Sequence, residues 1–346
     1  MQDITPTVSS VEVLHEAASN AQERTNARLA DVQALFAEDL RVIEHELVRA
    51  TRDGVAPATY AAAHLLDAGG KRIRPLTVLL AGACFGAISE ATRELAVVAE
   101  LVHLATLLHD DVLDDCELRR GVPAARCLWG NAVSVLSGDL LLTHALDRVS
   151  RVEPAALLSE LIVTLRRLVD GEVLQLRGRS QIDLTQDTYF RVVRGKTASL
   201  FEWAGRAGAL CSGASDSEAR ALAAYGRHLG TAFQLVDDTL DFCGDAHETG
   251  KALHADLKEG KVTLPLIQAL RMDPTLRREV DALRGGDRGA AGRLARAVIQ
   301  LDACAPVRAL AQTETARALD ALQLVPASPA RELLGGVAHE LSARAA

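Results

Sequence analysis

The sequence LATLLHDDVLD, residues 104–114, places three aspartates at the end of an apolar run, and AFQLVDDTLD, residues 232–241, repeats the arrangement. Apolar residues at three- and four-residue spacing predict a helix in both stretches. In a helix, carboxylates at positions i, i+1 and i+4 lie on one face, because a turn takes about 3.6 residues. Three like charges on an otherwise apolar helix are costly unless a cation neutralises them. The two motifs therefore predict two acidic helix faces at the centre of the fold.

Two acidic faces directed at each other would form a cage for hard divalent cations. Mg²⁺ fits such a cage best, because it prefers oxygen ligands, keeps part of its water shell and is usually shared with the phosphates of a substrate. The alternative is two solvated acidic helix ends, but the apolar residues around both motifs favour burial. The candidate ligands are Asp110, Asp111, Asp114, Asp237, Asp238 and Asp241.

Hydrophobic periodicity runs from Leu40 almost to the end of the 346-residue chain and predicts an all-α fold. No alternating pattern typical of strands is found, and no linker rich in proline or serine divides the chain. We expect a polar N-terminal leader over residues 1–35 and one all-α domain over residues 36–346, with peripheral helices from about Asp273. Long helices are predicted over Ile88–Asp115, Val133–Val149, Pro154–Arg177, Thr188–Leu210 and Asp216–Phe242.

Composition and charge exclude several classes of protein. No run of eighteen uncharged apolar residues occurs, so no membrane span is expected. The first twenty residues lack the basic and apolar regions of a signal peptide, and both absences favour the cytoplasm. A net charge of −8 without a basic tract argues against nucleic acid as a partner. The six cysteines have no CxxC spacing, so we expect small core residues rather than disulfides or zinc ligands.

Cations and polar groups flank both aspartate motifs. His103 lies two helical turns before Asp110, and Gln234 precedes Asp238 by four residues, so each shares a face with its motif. Each feature alone would also suit a solvated surface or a structural role. Together they indicate a site for two phosphorylated molecules, since arginine and lysine bind phosphate oxygens. The basic segments are GGKRIRP (69–75), RRG (119–121), GKT (195–197) and KEGK (258–261).

The ordered motifs GGKRIRP, HxxxxxxDDVLD, RRG, GKT, Q–DDTLD and KEGK, between about Leu40 and Ile267, resemble those of the trans-polyprenyl diphosphate synthases, the head-to-tail prenyltransferases. The resemblance implies the isoprenoid synthase helical bundle with a central active-site cavity, usually as a homodimer. It also implies an enzyme that condenses isopentenyl diphosphate with an allylic diphosphate in successive steps. Two or three Mg²⁺ ions are then expected to draw off diphosphate as the leaving group.

The resemblance also implies roles for individual residues. The six motif aspartates would hold metal and the allylic substrate, with Gln234 supporting that side and Thr197 near the transferred carbons. Isopentenyl diphosphate would be held by Lys71, Arg74, His103 and Arg120. The allylic diphosphate would be held by Arg119, Lys196, Lys251 and Lys261.

We expect Ala105 and Thr106, which lie five and four residues before Asp110, to determine the length of the product. Family members with short products carry bulky aromatics there, so small side chains imply a long product of the octaprenyl type. Gln175 agrees with this, because short-chain members commonly carry an aspartate at that position. Asp115 extends the first motif without an assigned role, and the C-terminus lacks the basic tail of many relatives.

Three alternatives stay open at this point. The first is a short-chain farnesyl or geranylgeranyl diphosphate synthase. The second is a terpene cyclase on the same fold, which would need no isopentenyl site. The third is a non-catalytic partner subunit that adjusts the product length of a synthase, which would not need both acidic motifs. Homodimer and heteromer likewise stay open.

Overall fold

The computed structural model describes residues 30–180, 185–243 and 254–343, and most of them are helical. The predicted all-α class is confirmed. The α-helices are α1 (Ala37–Arg52), α2 (Ala58–Asp67), α3 (Ile73–Ala83), α4 (Glu90–Leu113), α5 (Ala125–Trp129), α6 (Asn131–Val149), α7 (Ala156–Ser180), α8 (Gln186–Val193), α9 (Ser199–Cys211), α10 (Asp216–Cys243), α11 (Ala255–Lys258), α12 (Leu264–Met272), α13 (Arg277–Arg284), α14 (Arg288–Gln300), α15 (Ala305–Leu322) and α16 (Pro329–Ala343).

Helix α4 lies at the centre of the main core, as the sequence predicted for this stretch. It begins after Ser89, whose hydroxyl accepts a hydrogen bond from the Thr92 amide at 3.1 Å and so caps the first turn. From Leu95 to Leu101 every residue is buried. The helix packs against α3, α6 and α9. Its C-terminal end carries the first aspartate motif, which is therefore held by a helix fixed on several sides.

Helix α10 carries the second aspartate motif and packs between α9 and α15. The C-terminal helices are only partly peripheral. α13 and α14 form a small separate core with Phe242 and Leu266, whereas α15 and α16 return to the main bundle. Tyr225, fully buried on α10, donates a hydrogen bond to the Leu334 carbonyl of α16 at 2.7 Å.

A two-stranded hairpin interrupts the helices, and the sequence pattern did not predict it. Strands β1 (Leu118–Arg119) and β2 (Val122–Pro123) pair antiparallel, with Arg119 opposite Val122. Arg120 and Gly121 form the turn with φ of 53° and 81°, and two consecutive positive φ values suit a two-residue hairpin loop. Strands this short have no room for an alternating pattern.

The stretch predicted as one helix over Thr188–Leu210 is divided. Residues Arg194–Ala198 form a π-helix between α8 and α9. Here the backbone touches α7 directly, because a Cβ added to Gly195 would lie 2.7 Å from the Arg167 carbonyl oxygen, and one added to Gly171 would lie 2.7 Å from the Lys196 nitrogen. π-Helical turns of this kind are frequent at functional sites.

The end of the predicted N-terminal leader, residues 30–35, is described by the structure. Residues 30–35 are helical, and Val32 and Phe36 are buried in the main core. Residues 1–29 lie outside the described residues. All six cysteines are free thiols, and Cys127 is exposed rather than part of the core. No helix in the described ranges has the length and apolar character needed to cross a membrane.

Candidate active site

One face of α4 is less buried than the rest of the helix. His103, Thr106, Leu107 and Asp110 are half-buried, while Ala105 and Leu108 are fully buried. The half-buried residues follow the spacing i, i+3, i+4 and i+7, so they lie on one side of the helix. This side leads along the helix to the first aspartate motif.

Each carboxylate of the first motif is paired with a cation. Asp110 Oδ2 lies 3.4 Å from Lys196 Nζ, and Asp114 Oδ2 lies 2.8 Å from Lys261 Nζ. Asp111, whose side chain is 1% exposed, accepts a hydrogen bond from Arg119 Nε at 2.7 Å. Three separate segments of the chain therefore neutralise one acidic helix end.

Burial changes the proton affinities of these groups. It raises the pKa of Asp111, and the Arg119 guanidinium opposes the change. Burial alone would lower the pKa of Lys261, but the Asp256, Asp114 and Glu259 carboxylates outweigh it and raise the pKa above its usual value. Lys261 is therefore fully charged at neutral pH.

Lys196 and Thr197 project from the π-helix toward both motifs. Lys196 Nζ donates to Gln175 Oε1 at 2.9 Å and forms an ion pair with Glu172. Thr197 Oγ1 donates to Gln234 Oε1 at 2.8 Å. The irregular turn therefore brings the predicted GKT segment between α7, which supplies Gln175, and α10, which supplies Gln234.

The second motif is organised around Asp238, which is 2% exposed. Its carboxylate accepts hydrogen bonds from Tyr189 Oη at 2.6 Å and Gln234 Nε2 at 2.7 Å. Burial, followed by the nearby Asp256 carboxylate, raises the pKa of Asp238 to about 8. The raised pKa reflects the cost of burying a charge beside other carboxylates, and a bound cation would reduce that cost. The chain of hydrogen bonds from Thr197 through Gln234 to Asp238 connects the π-helix with this motif.

A second cluster, the cationic cluster, lies around the glycine turn and is formed by Arg72, Arg74 and Arg120. Arg72 is buried and forms hydrogen bonds with Glu44 and with Glu100, the latter at 2.9 Å. A Cβ added to Gly70 would lie 2.7 Å from Arg72 Nη1 and 3.0 Å from Arg120 Nη2. Gly70 therefore leaves the space that these two guanidinium groups occupy, which is a physical reason for a glycine at this position.

Two nitrogens of this cluster are buried and have no hydrogen-bond partner in the described part of the chain, namely Arg74 Nε and Arg120 Nη1. Burial lowers the pKa of Arg74 to about 10, with Arg120 acting in the same direction. Burial and then Arg74 and Arg120 lower the pKa of His103 well below its usual value. An excess of buried donors with few acceptors fits an anion such as a phosphate.

Adjacent arginines divide between the two clusters. Arg119 ends β1 and pairs with Asp111 of the first motif. Arg120, in the left-handed backbone conformation, places its guanidinium beside Gly70 in the cationic cluster. The hairpin turn therefore connects the first aspartate motif with the cationic cluster over a single peptide unit.

The metal ligands predicted from the sequence are not gathered around one point. Within residues 30–180, 185–243 and 254–343, no three side chains of His, Cys, Asp or Glu converge as a ready-made metal site. The donor set nevertheless fits hard divalent cations, since it consists of carboxylate oxygens. Asp111 Oδ2 is buried without a hydrogen-bond partner among these residues. A metal ion would use this oxygen, and at Asp110 and Asp114 it would have to compete with the paired Lys196 and Lys261.

The other predicted residues lie as follows. The Lys71 side chain is exposed, and its carbonyl accepts a hydrogen bond from Gln33. Lys251 lies outside the described residues. Thr106 donates to the His103 carbonyl at 2.7 Å. Asp115 is exposed and pairs with Arg126 at 2.7 Å.

The sequence did not single out Glu172, Tyr189 or Glu100. Glu172 and Glu100 interrupt predicted apolar helix faces. A charged residue at such a position can indicate a buried ion pair in the site. Tyr189 had no local signal, because its contact with Asp238 spans 49 positions.

Comparisons with known proteins place these clusters in a family context. The family model described as polyprenyl synthetase matches residues 57–301. Octaprenyl diphosphate synthase of Escherichia coli is 35% identical over 316 residues, covering 90% of this chain and 97% of that enzyme. An all-trans-nonaprenyl-diphosphate synthase (geranyl-diphosphate specific) of Rhodobacter capsulatus is 37% identical over 311 residues, covering 88% of this chain and 94% of that enzyme. A polyprenyl synthase structure from Caulobacter crescentus, in complex with calcium and isoprenyl diphosphate, has a TM-score of 0.87 at 35% identity. The match covers 92% of this chain and 98% of that chain.

Proposed function

This chain belongs to the polyprenyl synthetase family, and from that premise we propose that it is a prenyltransferase that condenses isopentenyl diphosphate with an allylic diphosphate. The steps are head-to-tail and repeated, and the product is a long all-trans polyprenyl diphosphate. Relatives named for octaprenyl and nonaprenyl products support the long-chain assignment.

The observation that carries the proposal is the division of Arg119 and Arg120 between two unlike clusters. A reaction that joins two diphosphates needs one site where a diphosphate leaves and another where it stays. The first requires carboxylates for a divalent metal, and Arg119 pairs with such a carboxylate, Asp111. The second requires donors alone, and Arg120 and Arg74 each keep a buried nitrogen free of hydrogen bonds to the described residues.

In the allylic site, this chain supplies charge and orientation. Lys196, Lys261 and Arg119 bring positive charge to the diphosphate oxygens and hold the group after it has left. We assign the same task to Lys251. Divalent metal, for which we propose two or three Mg²⁺ ions on the six motif aspartates, acts as a Lewis acid toward the leaving diphosphate when bound.

In the isopentenyl site, Arg74, His103 and Arg120, with Lys71, fix the diphosphate so that the double bond faces the allylic carbon. Holding two reactants in line in this way contributes much of the rate of a bimolecular step. Thr197 and Gln234, connected by their hydrogen bond, lie between the aspartate motifs and border the transferred carbons. The proton lost in the condensation passes to the released diphosphate.

We propose that the growing chain starts on the half-buried face of α4 and runs toward the N-terminus of the helix. Thr106 lies on this face and Ala105 beside it, and both side chains are small. At a rise of about 1.5 Å per residue they are about 6–7.5 Å below Asp110. A small residue here leaves the path open for a product of about 40 carbons, whereas a ring would close it.

We also propose a homodimer. Two neighbouring helices, α6 and α7, expose apolar side chains that a single subunit leaves in contact with water. They include Leu136 at 60%, Ile162 at 52% and Val169 at 62% exposure. Exposed apolar side chains grouped on two helices favour a protein interface.

The test is incubation of the purified protein with labelled isopentenyl diphosphate, an allylic primer and Mg²⁺, followed by chromatography of the lipid product. A polyprenyl diphosphate of about 40 carbons supports the proposal. A product of 15–20 carbons would make it a short-chain synthase, a cyclic hydrocarbon formed without isopentenyl diphosphate would make it a cyclase, and no product at all would favour a partner subunit.

A further inference from the structure

Three oxygens surround the ammonium group of Lys196. Glu172 Oε2 forms an ion pair with it, Gln175 Oε1 accepts a hydrogen bond at 2.9 Å, and Asp110 Oδ2 lies 3.4 Å away. Only Asp110 belongs to an aspartate motif. The two other contacts come from α7, a helix to which the proposed reaction assigns no role.

Backbone packing fixes this arrangement. Glu172 and Gln175 are three residues apart on α7 and therefore share a face. Next to them, Gly171 lies so close to the π-helix that an added Cβ would be 2.7 Å from the backbone nitrogen of Lys196. The side chain of Lys196 thus starts directly opposite the turn of α7 that carries its two partners.

The pairing is also sheltered from water. The exposed fractions of the Glu172 and Lys196 side chains are 14% and 22%. The second oxygen of Glu172, Oε1, is buried and has no hydrogen-bond partner in the part of the chain that the structure describes. Glu172 therefore depends on Lys196 for the compensation of its charge, and Lys196 cannot move to a substrate without breaking a short, partly buried ion pair.

We infer that Glu172 is a positioning residue that competes with diphosphate for Lys196. It holds the ammonium group in place while the site is empty, and it weakens the grip of Lys196 on the diphosphate that remains after each condensation. The inference rests on the proposed function, in which Lys196 binds the allylic diphosphate. In an enzyme that repeats its reaction, such competition favours release of inorganic diphosphate before the next step.

The experiment measures binding of inorganic diphosphate by calorimetry, in the presence of a chelator so that no divalent metal takes part. Glu172→Gln keeps the size of the side chain but removes its charge. We expect this variant to bind diphosphate about tenfold more tightly than the wild type, since the competing charge-assisted hydrogen bond becomes a neutral one. The matched control is Glu160→Gln on the same helix, whose partner is Arg206; its affinity for diphosphate should equal that of the wild type.

The contribution of Lys196 is tested by repeating the substitution in a Lys196→Met background. If Glu172 acts through Lys196, the gain in affinity disappears there. With substrates and Mg²⁺, Glu172→Gln should lower both KM for the allylic primer and kcat in multiple turnover, while a single condensation keeps its rate. If the role of Glu172 were purely structural, Glu172→Gln would instead lower the unfolding temperature. The affinity for diphosphate and KM for the allylic primer would then stay at their wild-type values.

Unchanged or weaker binding of diphosphate by folded Glu172→Gln would overturn the inference, and so would an equal gain in the Lys196→Met background. Failure of the proposed function is a separate result, because it would appear as absence of elongation by the wild type. Diphosphate binding is measured without that reaction, so the two failures are distinguishable.

Discussion

Lys261 Nζ lies 2.8 Å from Asp114 Oδ2, and this ion pair joins residues that are 147 positions apart in the chain. Lys261 follows the second aspartate motif in sequence, while Asp114 ends the first. The same ammonium group also contacts Glu259 and lies 3.8 Å from Asp256. One lysine therefore holds the segment after the second motif against the helix that carries the first.

The other two carboxylates of the first motif are held in the same way, Asp110 by Lys196 and Asp111 by Arg119. Metal ions that bind these aspartates have to displace the paired lysine and arginine side chains. A bound diphosphate is negatively charged and can pair with the displaced side chains. Metal and diphosphate are therefore expected to bind better together than either does alone.

Replacement of Asp110 or, separately, Asp237 with asparagine should lower turnover about 10²–10³-fold, because each change removes a charged metal ligand worth about 3–4 kcal/mol in the transition state. The measurement is kcat at saturating Mg²⁺. Asp115→Asn is the control, since Asp115 pairs with Arg126 on the surface, and its turnover should stay near that of the wild type. Wild-type turnover in Asp110→Asn would contradict the metal assignment.

Arg119 and Arg120 should affect different substrates. Arg120→Met removes a donor from the cationic cluster and should raise KM for isopentenyl diphosphate about 10- to 100-fold, the range expected for one hydrogen bond to a charged group. Arg119→Met should raise KM for the allylic primer instead. His103→Ala is expected to follow Arg120. If the variants raise the opposite KM values, the two sites are exchanged; if neither KM changes for His103→Ala, it is a core histidine.

His103 should make the protein less stable in acid. Its pKa is lowered in the folded state, first by burial and then by Arg74 and Arg120. Below a pH of about 6.5 the unfolded chain binds a proton that the folded protein does not, so stability falls as pH falls. The loss is about 1 kcal/mol between pH 6.5 and 5.5 for one group of this kind. Unfolding by urea at both pH values measures it, and His103→Gln should lack this part of the loss.

Ala105→Tyr should shorten the product to about 15–20 carbons while sparing the first condensation, because the ring would lie below the aspartates. Overpacking is the competing effect, since Ala105 is fully buried and a larger side chain there costs about 1–3 kcal/mol. Thr106→Tyr, on the half-buried face, provides the comparison. Chromatography of the products decides, and an unchanged length distribution in both active variants would exclude this path for the chain.

Gly171→Ala should destabilise the protein by about 1–3 kcal/mol, because the added methyl group meets the backbone of the π-helix at 2.7 Å. Gly178→Ala is a matched control on the same helix. An added Cβ at Gly178 meets nothing within 4 Å, so alanine should increase stability by about 0.5–1 kcal/mol. Free energies of unfolding in denaturant test both, and equal effects would contradict the close packing of α7 on Lys196.

Much of the fold could be predicted because helices have a local cause. The apolar spacing around residues 104–114 and 232–241 is enough to predict the helices that carry both motifs, since a helix is built from contacts within one or two turns. The same local rule placed His103 and Gln234 on the faces of their motifs. The π-helix at Arg194–Ala198 was missed, because it arises from the contact of Gly195 with α7, which lies more than twenty residues earlier.

The site itself depends on contacts between distant segments. Aspartates spaced i, i+1 and i+4 determine an acidic face from sequence alone, and the sequence therefore determined the kind of chemistry. Which cation meets which aspartate depends on how α4 packs with the π-helix, with β1 and with the segment before α12. Glu172 and Tyr189 acquire their roles only from that packing, because burial makes a charge or hydroxyl depend on whichever partner the fold brings within about 3 Å.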